Sequence, residues 1–294
     1  MAVIKEKILR SADDVVIDWV VFGALACVLV VCLVPVLLVL STSFMPLVDY
    51  VKGGGRSLLP TTIDLTAYQA LLTGSRLVEG FRLTIILTLV GTALNLLLTI
   101  SLAYPLSQAF LPGRSKVMVF LVFTMMFSGG LIPTYLVVKA TGLLNSFWAM
   151  AIPNAVWVSN VIIMKIFFEQ LPVELSESAR MDGANDLTVL TRVTLPLSGP
   201  ILATVGLFYG VAHWNQFMDA LLYITSQELL PLQYILRDII LSADAASANN
   251  PDIIVPGMTL RMAAVVLTTL PVILVYPFLQ RYFVKGMTIG AVKG

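Results

Sequence analysis

Long runs of apolar residues dominate the chain and alternate with shorter polar stretches. A membrane-spanning helix needs about 20 consecutive, mostly apolar residues. Six runs approach or reach this length, and none of them contains Asp, Glu, Lys or Arg. The predicted spans cover about residues 19–40, 83–104, 117–138, 147–164, 197–217 and 262–279.

The runs predict helices rather than strands. Strands of a membrane barrel are shorter and alternate in polarity, which these runs do not. Helices also satisfy their backbone hydrogen bonds internally in lipid. We therefore predict an all-α membrane protein with six transmembrane helices, formed by residues 19–294 after a cytoplasmic segment of residues 1–18. The first run is longer than the apolar core of a signal peptide, so we expect a retained helix.

Composition agrees with this class. Hydrophobic residues make up 58% of the 294 residues, and mean hydropathy is +0.93. Charged residues make up 12%, against about 25% in a soluble domain. A net charge of +1 shows no basic excess, which argues against nucleic-acid binding. Cys27 and Cys32 lie inside the first run and predict packing residues rather than a disulfide or metal site.

Lys and Arg placement predicts the orientation. An even number of spans puts both termini on one side. The cytoplasmic side carries more Lys and Arg, and placing the termini there puts most of these residues inside. The short loops agree, since Arg114 and Lys116 then lie inside and Lys139 outside. We therefore expect both termini in the cytoplasm.

The cytoplasmic loop of about residues 169–196, the signature loop, carries signals for two short helices. Pro172 suits a first helical turn, and Gly183 suits the left-handed position after a last turn. Asn185 or Asp186 suits the start of a second helix. That helix should stop before Pro196, because the residue before proline disfavours helix. Two capped helices favour a docking element, with a plain connector on the membrane as the alternative.

The signature loop resembles the signature of permeases from binding-protein-dependent ABC importers. That signature reads Glu-Ala-Ala, three residues, Gly, nine residues, an aliphatic residue, one more residue, then Leu-Pro. The chain holds every spacing, with Glu177-Ser178-Ala179, Gly183, Val193 and Leu195-Pro196. Ser178 and Val193 are small departures from the pattern.

The resemblance covers about residues 80–294. Residues 171–175 and 181–184 resemble the carbohydrate class, and the tail of residues 285–294 resembles the maltose-type permease. Residues 127–133 resemble a subgroup tied to oligosaccharide and polysaccharide uptake, of which an alginate importer subunit is one candidate. The implied fold is the type I ABC importer permease, with a cytoplasmic coupling helix.

The resemblance also implies partners. An extracytoplasmic binding protein would deliver the sugar, and a second, different permease chain would complete the pathway in a bacterial inner membrane. An ATPase subunit dimer would bind ATP and Mg, so this chain would need no cofactor and catalyse no reaction. The positions that match the family's motif imply an ATPase contact that includes Glu177, Ala179, Asp182 and Gly183. Leu195 and Pro196 would anchor the return to the membrane.

Polar and aromatic residues near spans four and five are candidates for the sugar path, because sugars are held by hydrogen bonds and a flat apolar face. In span four they are Asn154, Trp157, Ser159 and Asn160, and in span five Tyr209, His213, Trp214, Asn215 and Gln216. Polar residues in lipid also join helices to one another, which is the alternative for each of them.

A transporter or channel that acts alone is the competing function. A proton-coupled transporter usually carries ionisable groups in its spans, and here only His213 could serve as a relay. The chain lacks a phosphate-binding Gly-Lys-Ser/Thr loop, and the glycines at 53–55 have no such context. Energy would then come from a partner. Outside the spans we expect short helices near residues 65–72 and 229–241, the latter followed by a loop that meets the binding protein.

Overall fold

Helices form the regular structure of the residues that the computed structural model describes, 12–52, 62–73, 75–249 and 257–291. No β-strand occurs in these four ranges, as the apolar runs predict. Three predicted features lie wholly or partly outside them: the glycines at 53–55, residues 1–11 of the N-terminal segment and the last residues, 292–294, of the tail.

The chain divides into two units, residues 1–71 with 243–266, and residues 72–242 with 267–294. The first unit contains α1 (Ala12–Ser43), α2 (Leu47–Lys52) and residues 66–71 of α3 (Thr66–Thr73). The second contains α4 (Ser75–Ser107), α5 (Arg114–Met126), α6 (Leu131–Ala140), α7 (Trp148–Ala151), α8 (Val158–Glu169), α9 (Val173–Met181), α10 (Asp186–Val189), α11 (Leu195–Leu197), α12 (Gly199–Trp214) and α13 (Met218–Tyr223). The helices α14 (Leu232–Asn249) and α15 (Gly257–Ala291) contribute residues to both units.

Three helices are long and apolar enough to cross a membrane without interruption. They cover Val16–Ser43, Arg76–Ser107 and Gly257–Val275, and they contain predicted spans one, two and most of six. Two bent pairs, α5 with α6 and the α10–α11 segment with α12, raise the number of candidate spans to five if each pair counts as one. The total of six spans therefore stays a prediction, although the all-helical membrane class is confirmed.

Predicted spans three and four are not single helices. The third consists of α5 and α6, which meet at 114°. Between them Gly130 has a φ of 85° and a ψ of 179°, a conformation open to glycine because it has no Cβ. The fourth is divided between the short α7 and α8. Pro153 follows α7 and lacks the backbone N–H that would continue the helical hydrogen bonds.

In the first unit, α3 is fixed against the end of α1. Phe44 and Tyr68 stack with ring centroids 5.1 Å apart, and the Tyr68 hydroxyl donates to Ser43 Oγ at 2.7 Å. The Thr66 backbone N–H donates to Asp64 Oδ1 at 2.8 Å and lowers the pKa of that carboxyl. This helix confirms the prediction of a short helix near residues 65–72. By contrast, the apolar side chains of α1 between Val16 and Val36 are mostly exposed in the isolated chain, as suits a surface for lipid or a partner subunit.

In the second unit, the core lies between α4, α8 and α12. Ala103 and Tyr104 from α4, Val161 and Met164 from α8, and Tyr209 from α12 are buried there. The helices approach closely because small residues face their neighbours. A Cβ added at Gly206 would lie 3.4 Å from the Leu96 side chain. Small residues at helix contacts are a general means of packing in membranes.

Candidate functional site

The first half of the signature loop is a helix with defined ends. α9 begins after Pro172, carries Glu174 in its first turn and Arg180 in its last, and thus complements the helix dipole at both ends. Gly183 follows with a φ of 86°. Its N–H donates to the Arg180 carbonyl, and the Ala184 N–H donates to the Ala179 carbonyl, both at 3.0 Å. These two bonds make a Schellman motif, which confirms the predicted stop at Gly183.

The second half starts as predicted but ends differently. The Asn185 side chain accepts hydrogen bonds from the backbone N–H and the hydroxyl of Thr188, both at 2.8 Å, and so caps α10. The predicted stop before Pro196 is wrong. The helical path continues through a π-helical stretch, Leu190–Thr194, into α11, which contains Pro196. A π-turn bonds residues five apart, so the missing N–H and the ring of Pro196 are accommodated.

Arg180 fastens the signature loop to the end of α4. Its Nη2 atom donates to Asp186 Oδ1 at 3.0 Å and to Gln108 Oε1 at 3.2 Å. Its guanidinium also lies 4.9 Å from the centre of the Phe110 ring. The Tyr104 hydroxyl donates to the Asp186 carbonyl at 3.3 Å. These contacts therefore link α9 to α10 and to the turn after α4, and link α10 to α4 itself.

The predicted ATPase-contact residues occupy the exposed part of this loop. Glu177, Asp182 and Gly183 are exposed, while Ala179 is half-buried. Neither the Glu177 nor the Asp182 carboxylate forms an ion pair with any residue that the structure describes. Leu195 is half-buried and Pro196 exposed, where the path turns by 84° into α12.

Two apolar side chains of the signature loop also lie at its surface, and the sequence reasoning missed them. Met181 is 88% exposed and Leu187 68% exposed, one on each side of Gly183. Exposed apolar side chains rimmed by charged residues are typical of protein–protein contacts. The sequence signal was present, since both residues stand next to charged positions in amphipathic helices.

A second candidate site is a cavity of about 250 Å³, here named the polar cavity. It lies at the level of Asn95, towards the middle of α4, and α12 forms much of its wall. Its lining residues are Asn95, Met150, Asn154, Trp157, Tyr209, Ala212, His213, Gln216 and Asp219. Trp157 is 37% exposed, and its ring centroid lies 5.4 Å from that of the buried Tyr209.

A chain of hydrogen bonds runs along this wall. Asn95 Nδ2 lies 3.0 Å from His213 Nε2, and His213 Nδ1 lies 3.2 Å from Gln216 Oε1. Gln216 Nε2 donates to Asp219 Oδ2 at 2.6 Å and to the Met150 carbonyl at 2.7 Å. Asn154 Nδ2 donates to the same Asp219 oxygen at 3.1 Å. We name these five side chains, from Asn95 to Asn154, the polar chain.

The polar chain determines which imidazole nitrogen carries the proton. Gln216 must direct its amide nitrogen at the two acceptors, so its oxygen faces His213 Nδ1. The Nδ1 atom therefore donates, and Nε2 of the neutral ring accepts from Asn95. His213 is bonded on both sides to amides, an arrangement that suits a structural link better than a proton relay.

Asp219 is the charged member of the polar chain. Burial raises the pKa of its carboxyl, while the amide donors of Gln216 and Asn154 counteract that rise. Its Oδ2 accepts hydrogen bonds from both amides. Its Oδ1 has no donor among the residues that the structure describes. No Lys or Arg lines the cavity. The cavity is thus rich in acceptors and carries negative charge.

The predicted pathway residues divide into two groups. Asn154, Trp157 and Tyr209 line the polar cavity, as do His213 and Gln216. Ser159, Asn160, Trp214 and Asn215 do not. Asn160 is buried, Trp214 Nε1 donates to the Thr268 carbonyl at 3.0 Å, and Asn215 Nδ2 donates to the Val211 carbonyl at 2.9 Å. The Trp214 bond joins two helices, which was the alternative stated for it, whereas the Asn215 bond lies within its own helical turn.

Sequence reasoning missed Asn95 and Asp219. Asn95 gave a weak signal, as the one amide in an otherwise apolar run, 83–104. Asp219 lies just after the fifth predicted span, where its position gives no signal that separates it from other acidic residues of loops. Only the packing of α4 against α12 brings Asn95 to His213, which is 118 residues further along the chain.

Comparison with known proteins gives relatives along the whole chain, although no protein-family model matches. The chain is 40% identical to the polygalacturonan/rhamnogalacturonan transport system permease protein YtcP of Bacillus subtilis, over 94% of this chain and 98% of that protein. It is 44% identical to protein LplC of the same organism over 81% of each. A crystal structure of a bacterial ABC transporter that imports the acidic polysaccharide alginate matches with a TM-score of 0.85 at 31% identity, covering 93% of this chain and 99% of that chain.

Proposed function

Since the chain belongs to the permease family of binding-protein-dependent ABC sugar importers, we propose that it forms half of a sugar pathway and couples to an ATPase through residues 177–196. It is a non-catalytic, multi-pass component of the inner membrane, and separate ATPase subunits bind the ATP. We further propose an ATPase dimer, a second and different permease chain, and cytoplasmic termini.

The observation that carries the coupling role is the construction of the signature loop. Its two helices meet at the left-handed Gly183 and present Met181 and Leu187 at the surface. Arg180 joins the same helices to each other and to Gln108 after α4, and Tyr104 of α4 bonds to the Asp186 carbonyl. Two helices that bind the ATPase on one side and are held to α4 on the other transmit movement from the ATPase into the membrane. Hinged and rocking movements of such bodies are the usual form of switching between states.

The proposed cargo is an oligosaccharide or polysaccharide. This class fits the substrates in the names of the relatives, polygalacturonan or rhamnogalacturonan and alginate. The polar cavity supplies amides, a carboxylate and an aromatic ring, the groups that hold sugars. We propose that an extracytoplasmic binding protein delivers the sugar to this path.

The test is sugar-dependent ATP hydrolysis by the full complex in proteoliposomes. We expect Glu177→Lys and Gly183→Val to assemble with the partner subunits but to lose stimulated hydrolysis and uptake. Glu79→Lys is the matched control, because Glu79 is exposed at the start of α4 and makes no ion pair among the described residues. Unchanged coupling in both loop variants would overturn the proposal. Uptake by this chain without ATPase subunits would favour a transporter that acts alone.

A further inference from the structure

The polar cavity offers acceptors without matching donors. Asn95 is 1% exposed and lines the cavity, and its Oδ1 atom has no hydrogen-bond partner in the described part of the chain. A buried acceptor left without a donor is unfavourable, so such atoms usually have a partner. Asp219 Oδ1 is a second acceptor without a protein donor, at the other end of the same wall.

The protein's own groups cannot easily fill this deficit. Both His213 nitrogens are engaged, since Nδ1 donates to Gln216 and Nε2 accepts from Asn95. The Gln216 amide nitrogen already serves two acceptors. The Tyr209 hydroxyl pairs with Thr99 Oγ1 at 2.8 Å and accepts from the Trp157 N–H at 3.0 Å. These lining groups are already engaged, whereas a molecule bound in the cavity would bring new donors.

The charge of the cavity restricts what that molecule can be. Asp219 is the acidic residue of the lining, and the lining contains no Lys or Arg. A carboxylate in this space would face an ionised carboxylate at low effective dielectric, where repulsion is strong. A hydroxyl group, in contrast, donates a hydrogen bond to each free acceptor. The exposed part of the Trp157 ring adds an apolar face against which the carbon–hydrogen side of a sugar ring packs.

From this geometry we infer that the polar cavity is a subsite for uncharged, hydroxyl-bearing sugar units, and that it disfavours units carrying a free carboxylate. The inference rests on the proposed function and deepens it, because it assigns a chemical preference to this subunit. A substrate chain that carries both kinds of unit would place its hydroxyl-bearing face here and its carboxylates elsewhere.

The experiment compares two probes that differ only at the carboxyl group, a free galacturonate oligosaccharide and its methyl ester of the same length. Their affinities for the purified full complex are measured by titration calorimetry without binding protein. We expect the wild-type complex to bind the ester at least tenfold more tightly. Asp219→Asn should bring that ratio close to one. Glu228→Gln removes a carboxylate from an exposed position outside the cavity and should leave the ratio unchanged.

A second variant covers the case in which Asp219→Asn fails to assemble. Trp157→Ala keeps the charge of the cavity and removes its flat face, so both probes should lose affinity by a similar factor and the ratio should persist. A ratio near one in the wild-type complex, a ratio that Asp219→Asn leaves unchanged, or no binding of either probe would overturn the subsite. The polar chain would then only hold helices together.

Failure of this inference is separable from failure of the proposed function. The same preparations are assayed for ATP hydrolysis stimulated by sugar-loaded binding protein. Stimulation together with an unchanged probe ratio removes the subsite and leaves the importer role intact. Loss of stimulation in the wild-type complex removes both.

Discussion

Gly91 on α4 faces the His213 ring on α12 so closely that an added Cβ would lie 2.5 Å from His213 Nε2 and 2.7 Å from Cε1. The ring is buried and bonded on both sides, so it has little room to move. The absent side chain at Gly91 therefore creates the space in which the polar chain forms.

Gly91→Ala is expected to destabilise the protein by about 1–3 kcal/mol, the usual cost of overpacking. Gly210→Ala is the matched control in the same helix pair, because its Cβ would meet Thr92 Oγ1 at an ordinary 3.6 Å. Thermal unfolding of the purified protein in detergent measures both. Equal melting temperatures for the two variants would contradict the close contact at His213.

Substitutions at Gly183 separate the effect of backbone conformation in the signature loop from the effect of side-chain size. Nothing lies within 4 Å of a Cβ at this position, yet its φ is 86°. A β-branched residue must adopt the left-handed conformation at a cost of roughly 1–2 kcal/mol, whereas Asn visits it more readily. We expect Gly183→Asn to retain more sugar-stimulated ATP hydrolysis than Gly183→Val. The reverse order would mean that side-chain size, and not backbone conformation, limits this site.

Arg180 is expected to matter for coupling more than for stability. Its side chain is 31% exposed and that of Asp186 59% exposed, so the ion pair should contribute less than about 1 kcal/mol. Arg180→Gln should leave the melting temperature almost unchanged and reduce stimulated ATP hydrolysis. Arg180→Lys should rescue poorly, because an ammonium lacks the planar guanidinium that lies over the Phe110 ring while Nη2 bonds Asp186 and Gln108.

Two comparisons check this prediction. Arg82→Gln changes an exposed arginine that forms no ion pair in the described part of the chain, and it should behave as wild type. A double-mutant cycle of Arg180→Gln with Asp186→Asn should show a coupling term in transport. If the two effects on transport simply add, Arg180 does not act through Asp186.

Tyr209→Phe should destabilise the contact between α12 and the break before α8. The hydroxyl accepts from the Trp157 N–H and pairs with Thr99 Oγ1. Its removal leaves buried polar groups unpaired, at a cost of about 1–3 kcal/mol. Adding Thr99→Val removes one of those groups and should restore part of the lost melting temperature. No recovery in the double variant would show that the Thr99 contact carries little of the effect.

The pH dependence of Asp219 has a definite sign. Burial raises the pKa of Asp219 above its usual 3.8, so the protonated form favours the folded state. Its contribution to stability is complete below pH 3.8 and is lost as the pH rises through the folded-state pKa. We therefore expect the melting temperature of Asp219→Asn to rise relative to that of wild type as the pH increases from 3.8.

Asp64→Asn is the control with the opposite sign. The Thr66 N–H lowers the pKa of Asp64, so the stability that this carboxylate contributes is present above pH 3.8 and is lost as the pH falls through its folded-state pKa. Melting temperatures are measured from below to above pH 3.8. As the pH rises, the melting temperature relative to wild type should fall for Asp64→Asn and rise for Asp219→Asn. Parallel profiles would contradict the burial of Asp219.

Much of the signature loop was predictable because its structure depends on neighbours along the chain. Gly183 ends α9 and Asn185 caps α10 as their types predict, since both effects involve residues within one turn. The continuation past Pro196 was not predictable, because the π-helical stretch before it depends on how the loop joins α12.

The sequence by itself determined that this protein is helical and lies in a membrane, because long uncharged apolar runs are stable in lipid only as helices. It also determined the family, through the residue spacings of the signature loop. Tertiary structure decided where predicted spans three and four break, and which polar residues line a shared cavity. Asn95, His213 and Asp219 become one site only when α4 packs against α12. Contacts between residues so far apart in the chain depend on helix packing, which no local pattern specifies.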